Sequence, residues 1–157
     1  MPPRNRLRPD SLRDPVDMGR QSPVFVTGGS GFVGGAVVDH LVASGAEVRA
    51  LARSERSADR VGARRASPVD GDVSDHEALV AGMSGCDIAF HVAGVNTMCP
   101  SDPRAMYRTY VDGVRVVVGA AAEAGVRRVV LTSSAATLGE AEGMVANEET
   151  AHAGVFL

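Results

Sequence analysis

The chain has 157 residues, 45% of them hydrophobic, and a formal net charge of −3. Those values suit one domain with a real hydrophobic core and leave no basic surplus to argue for nucleic acid as a partner. No apolar run is long enough to span a membrane, and Cys86 and Cys99 lack disulfide-framework or metal-site spacing, so a reduced, cytoplasmic setting with no bound metal is expected.

Residues 1–22 differ from the rest. Arg4, Arg6, Arg8, Arg13 and Arg20 stand among prolines and aspartates, with no apolar segment of the signal-peptide kind. Disorder is expected there, and Asp10, Asp14 and Asp17 offset the arginines that a basic docking arm would use. Met18 lies just before the first strand, so the residues preceding it read as an upstream extension.

Val24-Phe25-Val26, preceded by Pro23, predicts a short buried strand. It runs into Thr27-Gly28-Gly29-Ser30-Gly31-Phe32-Val33-Gly34, after which Ala36 to Ala43 continue with helical spacing. Strand, glycine-rich turn and helix N-terminus form the arrangement that binds a dinucleotide pyrophosphate. Gly28 permits the tight turn, Gly31 lets backbone approach phosphate without a Cβ in the way, and Gly34 allows close helix–strand packing. The free N–H groups and the positive dipole end of the helix then face the anion. Glycines alone would say little; the strand-turn-helix context gives them weight.

Ser44-Gly45 closes the first helix, and residues 47–52 (EVRALA) predict the second strand. Arg53 at its end occupies the place where a carboxylate binds a ribose 2′-OH and an arginine favours a 2′-phosphate, which tilts the expected cofactor from NAD towards NADP. Arg56 and Arg60 follow in what reads either as a solvated arginine-rich loop or as further phosphate ligands. Residues 66–70 predict a weak third strand, which Pro68 confines to a sheet edge. Asp72 reads as an acceptor for the adenine amino group or as a turn-capping aspartate, and Ser74 as the N-cap of a helix to Met83.

Residues 87–92 (DIAFHV) predict the fourth strand, running into Ala93-Gly94-Val95, whose small side chains let a cofactor cross close to backbone. Ser101 or Asp102 then caps a long helix with Pro103 in its first turn and Gly125 as its stop, and Val111, Val114 and Val118 are its expected sheet-facing side. Residues 127–131 (RRVVL) predict the fifth strand, ending in Thr132-Ser133-Ser134; residues 140–157 read as a loop. Strands alternating with helices give an α/β fold, a doubly wound parallel Rossmann sheet of order 3-2-1-4-5. The expected organisation is a disordered extension over 1–22 and an NAD(P)-binding domain over 23–157.

Thr27 to Gly34, Gly71-Asp72-Val73, His91-Val-Ala-Gly94 and Leu131 to Gly139 follow one another as in extended short-chain dehydrogenases/reductases, and the chain resembles their NAD-dependent epimerase/dehydratase family in its dihydroflavonol-4-reductase branch. The resemblance covers about residues 23–157. It implies that Gly28, Gly31, Phe32, Val33 and Gly34 line the pyrophosphate, Arg53 the adenosine phosphate, Asp72 and Val73 the adenine, and Ala93 and Gly94 the central ribose. It also implies Ser134 as the catalytic serine, with Ser133 as the adjacent alternative.

The departures concern proton transfer. The family's Tyr-x-x-x-Lys pair needs a lysine, yet all 16 basic residues are arginine, and four residues beyond Tyr107 and Tyr110 stand Val111 and Val114. Tyr110 falls where the family commonly has asparagine, and residues 147–157 resemble the loop that precedes the catalytic tyrosine. The resemblance therefore implies a sheet truncated before its later strands and substrate lobe. An unassisted serine is a poor base, and loss of a proton-transfer residue costs roughly 10²–10⁴-fold in rate. His91 at a strand end reads as structural as readily as catalytic, and His40, His76 and His152 have no metal spacing.

Three functions follow as expectations. The first is the cofactor-binding part of an NADP(H)-dependent oxidoreductase or epimerase/dehydratase, inactive alone and using a small-molecule substrate only when completed. The second is a non-catalytic NADP(H)-binding sensor or interaction module. The third is a fragment, or a half that pairs with another chain, which self-associates through an uncovered sheet edge.

Overall fold

Five short strands line up side by side because a helix between each strand and the next returns the chain to the same end of the sheet. The computed structural model describes residues 22–95 and 103–134, together with Asn147 and Thr150. The disorder expected before Ser22, and the readings of Cys99, Ser101, Asp102, His152 and most of 135–157, lie outside the described residues.

The strands are β1 (Val24–Thr27), β2 (Val48–Ala52), β3 (Ser67–Asp70), β4 (Ile88–His91) and β5 (Arg128–Leu131). They form one parallel sheet of order β3-β2-β1-β4-β5, the order expected. β1 is buried at every position because it lies at the centre with helices on both faces. Side chains alternate across the sheet. Val24 and Val26 join Val38, Leu41 and Val61 in one core, under α1 (Phe32–Ala43) and α2 (Glu55–Gly62). Phe25 joins Leu79, Met83, Val117 and Ala120 in the other, under α3 (His76–Met83) and α5 (Gly113–Glu123). β3 is the exposed edge that Pro68 predicts.

Three local expectations are corrected. The arginine-rich stretch after Arg53 is a helix, α2. Ser54 and Ser57 cap it reciprocally, with Ser57 N–H donating to Ser54 Oγ (3.3 Å) and Ser54 N–H donating to Ser57 Oγ (3.0 Å). A single buried residue, Val61, anchors it, too little apolar periodicity to reveal a helix. The cap of α3 is Asp75, whose carboxylate accepts from Ala78 N–H at 3.0 Å, whereas Ser74 folds back onto Asp72. The long helix before β5 is broken up: α4 (Pro103–Tyr107), one π-helical turn (Arg108–Asp112), then α5. A π turn accommodates an extra residue and shifts the helical phase. Val118 is therefore 47% exposed, and Val117, Ala120 and Ala121 form the sheet-facing side instead.

α1 ends as expected. Gly45 takes φ +88°, a left-handed conformation that glycine adopts without strain, and Gly45 and Ala46 N–H close on the carbonyls of Val42 and Leu41. All five strands thus present their carboxyl ends to one edge of the sheet, where ligands of such folds bind.

Candidate functional site

The turn after β1 is held by backbone geometry. Gly28 has φ +73°, and a Cβ there would meet the Ala93 backbone nitrogen at 2.7 Å, so glycine is required twice over. Gly31 N–H donates to the Gly28 carbonyl at 2.9 Å, and a Cβ on Gly34 would lie 2.1 Å from that oxygen. The start of α1 is drawn tightly onto the turn. Gly31 offers no side-chain cap, and the first bond into the helix is Gly35 N–H to the Gly31 carbonyl. The amides of Phe32, Val33 and Gly34 consequently have no acceptor among the described residues. Phe32 is 96% exposed, so its ring stands clear of the turn.

On the β2–β3 side, Arg53 follows β2 and is exposed. Gly71 N–H bonds the Ala52 carbonyl at 3.2 Å, which brings the ends of β2 and β3 together beside it. Asp72 is half-buried, and one carboxylate oxygen accepts from Ser74 N–H and Oγ–H at 3.2 and 3.0 Å, the turn-capping arrangement. Val73 is half-buried against Gly113 at the start of α5. Between the glycine turn and the end of α2 lies an open hollow of about 390 Å³, lined by Ser30, Gly31, Phe32, Arg60, Ala63 and Arg64. Arg64 is committed there to the Gly35 carbonyl and the Asp39 carboxylate; Arg53 and Arg60 have no partner among the described residues.

The β4 end is held by side chains. Thr27 is fully buried, and its Oγ accepts from Val92 and Ala93 N–H, each at 3.2 Å. His91, directly opposite Thr27 in the sheet, places Nδ1 2.8 Å from the same oxygen, and burial holds its pKa below the ordinary 6.5. Tyr110, in the π turn, donates its hydroxyl to the Val95 carbonyl at 2.7 Å and lays its ring over Gly94. The glycine turn and the Ala93-Gly94 backbone therefore meet at the gap between β1 and β4.

The profile of the NAD dependent epimerase/dehydratase family matches residues 24–156. The chain belongs to that family. A Stigmatella aurantiaca protein named as a 4-hydroxy-2-methyl-3-oxo-4-farnesyl-3,4-dihydroquinoline-1-oxide ketoreductase is 39% identical over 126 residues, 80% of this chain and 37% of the relative. A Synechocystis sp. protein bearing the name of a dihydroflavonol 4-reductase is 41% identical over 125 residues, 79% of this chain and 36% of the relative. The solved structure of MoeE5 in complex with UDP-glucose and NAD is 30% identical, with a TM-score of 0.65 over 78% of this chain and 40% of that one. The chain thus spans little more than a third of the curated relatives it matches.

The residues fit the family's dinucleotide. A turn that admits no Cβ at Gly28 or Gly34, three amides without acceptors among the described residues and an alanine–glycine edge would leave backbone open to a pyrophosphate and its ribose. Of the residues that the sequence singles out, Gly28, Gly31, Phe32, Val33, Gly34, Ala93 and Gly94 share the β1–β4 gap, while Arg53, Asp72 and Val73 lie at the β2–β3 ends. Ser133 and Ser134 follow β5 and are exposed. Thr27 and Tyr110 were not singled out as hydrogen-bonding members of this edge; Thr27 carries the sequence signal, a polar residue closing a wholly apolar strand. Among the described residues, no three His, Cys, Asp or Glu side chains cluster as a metal site, and no helix is long and apolar enough to cross a membrane.

Proposed function

We propose that this chain is the NADP(H)-binding domain of a reductase- or epimerase/dehydratase-type oxidoreductase. The three amides without acceptors at the start of α1, set on a turn that admits no Cβ at Gly28 or Gly34, carry the reading. Phe32, Val33 and Gly34 hold the pyrophosphate through backbone, with Gly28 and Gly31 keeping the approach open. Asp72 and Val73 hold the adenine, and Ala93 and Gly94 flank the central ribose. A nicotinamide dinucleotide supplies hydride transfer when bound.

Arg53 and Arg60 support the preference for a 2′-phosphate, since both lack partners among the described residues and Arg60 lines the hollow beside the turn. Ser134, with Ser133 beside it, would hydrogen-bond the substrate oxygen. The 157-residue sequence contains no lysine, so the Tyr-x-x-x-Lys pair is not in it and binding without turnover is expected of this polypeptide. The exposure of Val130 and Leu131 on the outer strand β5 supports self-association of this chain, which size-exclusion chromatography would read as a dimer or larger species; a monomer would contradict it.

Thermal denaturation with NADPH and NADH tests the cofactor. A ligand that binds only the folded chain raises its stability by about 2.7 kcal/mol at 100 times Kd. NADPH should raise the midpoint more than NADH. Equal or greater stabilisation by NADH would sink the NADP preference, and no stabilisation by either would sink the proposal.

A further inference from the structure

Thr27 Oγ has three polar neighbours, and their chemistry fixes where the protons are. Two are backbone N–H groups, of Val92 and Ala93, which can only donate to it, and Val92 N–H is shared with the Thr27 carbonyl at 3.3 Å. A hydroxyl has one proton to give and two positions that accept. Among the described residues the sole atom able to take the Thr27 proton is His91 Nδ1, at 2.8 Å. His91 Nδ1 therefore carries no proton, and the neutral imidazole is the Nε2–H tautomer.

We propose that His91, in this tautomer, is a positioning residue for the dinucleotide: through Thr27 it sets the Val92 and Ala93 amides, and with them the backbone that abuts the glycine turn. The link to the site is short. The space for a Cβ on Gly28 is already filled by the Ala93 backbone, so Ala93 cannot move towards the turn without displacing Gly28. A proton on His91 Nδ1 would face the Thr27 hydroxyl with a third donor and leave the hydroxyl proton without an acceptor. The β4 end then loosens at its contact with the turn, and dinucleotide affinity falls. This role rests on the dinucleotide reading of the site.

Among the described residues, no charged side chain bonds the Thr27–His91 pair. Thr27 on β1 is neutral, as are Leu131 and Thr132 at the end of β5, where Thr132 N–H bonds the His91 carbonyl at 3.0 Å. The ionisable side chains of the neighbouring elements are engaged elsewhere: Asp72 with Ser74, Tyr110 with Val95, Asp112 with Arg115 and His76 with Glu123. Burial alone lowers the His91 pKa. Because the folded value lies below the 6.5 of an ordinary imidazole, the unfolded chain takes the proton first. Stability is full above that ordinary value and is lost as pH falls from it through the folded value.

Two measurements on the 157-residue chain test the role. Long-range proton–nitrogen NMR of the histidine rings reads the tautomer directly and requires no variant. His91 should show a protonated Nε2 and a bare Nδ1 at neutral pH; a protonated Nδ1 overturns the inference. Titration from pH 8 downwards with NAD+, which has no 2′-phosphate to titrate in this range, should give an affinity that is level and then drops about tenfold in acid, the scale of one lost hydrogen bond. His91→Asn keeps an acceptor near Nδ1 without titrating, so it should bind more tightly than His91→Leu and lose the acid limb. An affinity flat with pH in the unaltered chain, or an acid limb that survives in His91→Asn, overturns the inference alone. No dinucleotide binding at any pH would overturn the functional reading and this role with it, while the ring spectrum still reports on the Thr27–His91 bond.

Discussion

The two sides of the β1–β4 gap are built by different means. On the glycine side, the work is done by backbone: φ +73° at Gly28, a carbonyl that excludes any Cβ at Gly34, and amides that no side chain among the described residues caps. On the β4 side, the backbone of Val92 to Val95 is placed by side chains, Thr27 with His91 beneath it and Tyr110 above it. A backbone-built wall fails all at once when its space is filled. A side-chain-built wall loosens by increments, and it responds to protons.

Gly34→Ala should have the largest effect. Its Cβ would sit 2.1 Å from a backbone oxygen that cannot swing away, so a loss of about 3 kcal/mol and of saturable NADPH binding is expected in thermal denaturation and titration. Gly31→Ala brings its Cβ to 3.2 Å from the same oxygen, a tight contact that a shift of a few tenths of an ångström relieves, and should cost much less than Gly34→Ala. Equal damage from both would break the account of the turn.

Thr27→Val comes next. It removes the acceptor of two amides and the partner of a buried imidazole while keeping the shape, and should cost about 2 kcal/mol in urea denaturation. Thr27→Ser should recover most of that. A valine variant as stable as the original would show that the β4 wall does not need its side chains.

Much of this was legible in the residues, and the boundary follows the same division. Glycines that need positive φ or close approach announce themselves by type, and the alternation of apolar runs with helical spacing yields the strand order. α2 was hidden because Val61 is its single buried residue, and the capping pair Ser54 and Ser57 is only three positions apart in a run of arginines. The buried face of α5 was misplaced because no sequence period marks the π turn at Arg108–Asp112. Thr27 to His91 spans 64 positions, a distance over which no local pattern can report a hydrogen bond.

Smaller effects sharpen the contrast. Arg53→Ala should weaken NADPH binding about tenfold and leave NADH binding nearly unchanged, as expected for one charge-assisted contact to a 2′-phosphate. A parallel loss for both cofactors would point to folding instead. Tyr110→Phe removes one bond from a 46% exposed side chain and should cost about 0.5–1 kcal/mol, read by hydrogen exchange at the backbone around Val95. Protection changes near Gly28 in that variant would mean that the two walls are not separable.

The most direct test is an NMR titration of the isotopically labelled chain with NADPH, following the backbone amides. Saturable shifts should be largest at Phe32, Val33 and Gly34, whose amides have no acceptor among the described residues, with Ala93 and Gly94 responding across the gap. Shifts absent from that turn, or concentrated elsewhere, would contradict the dinucleotide reading.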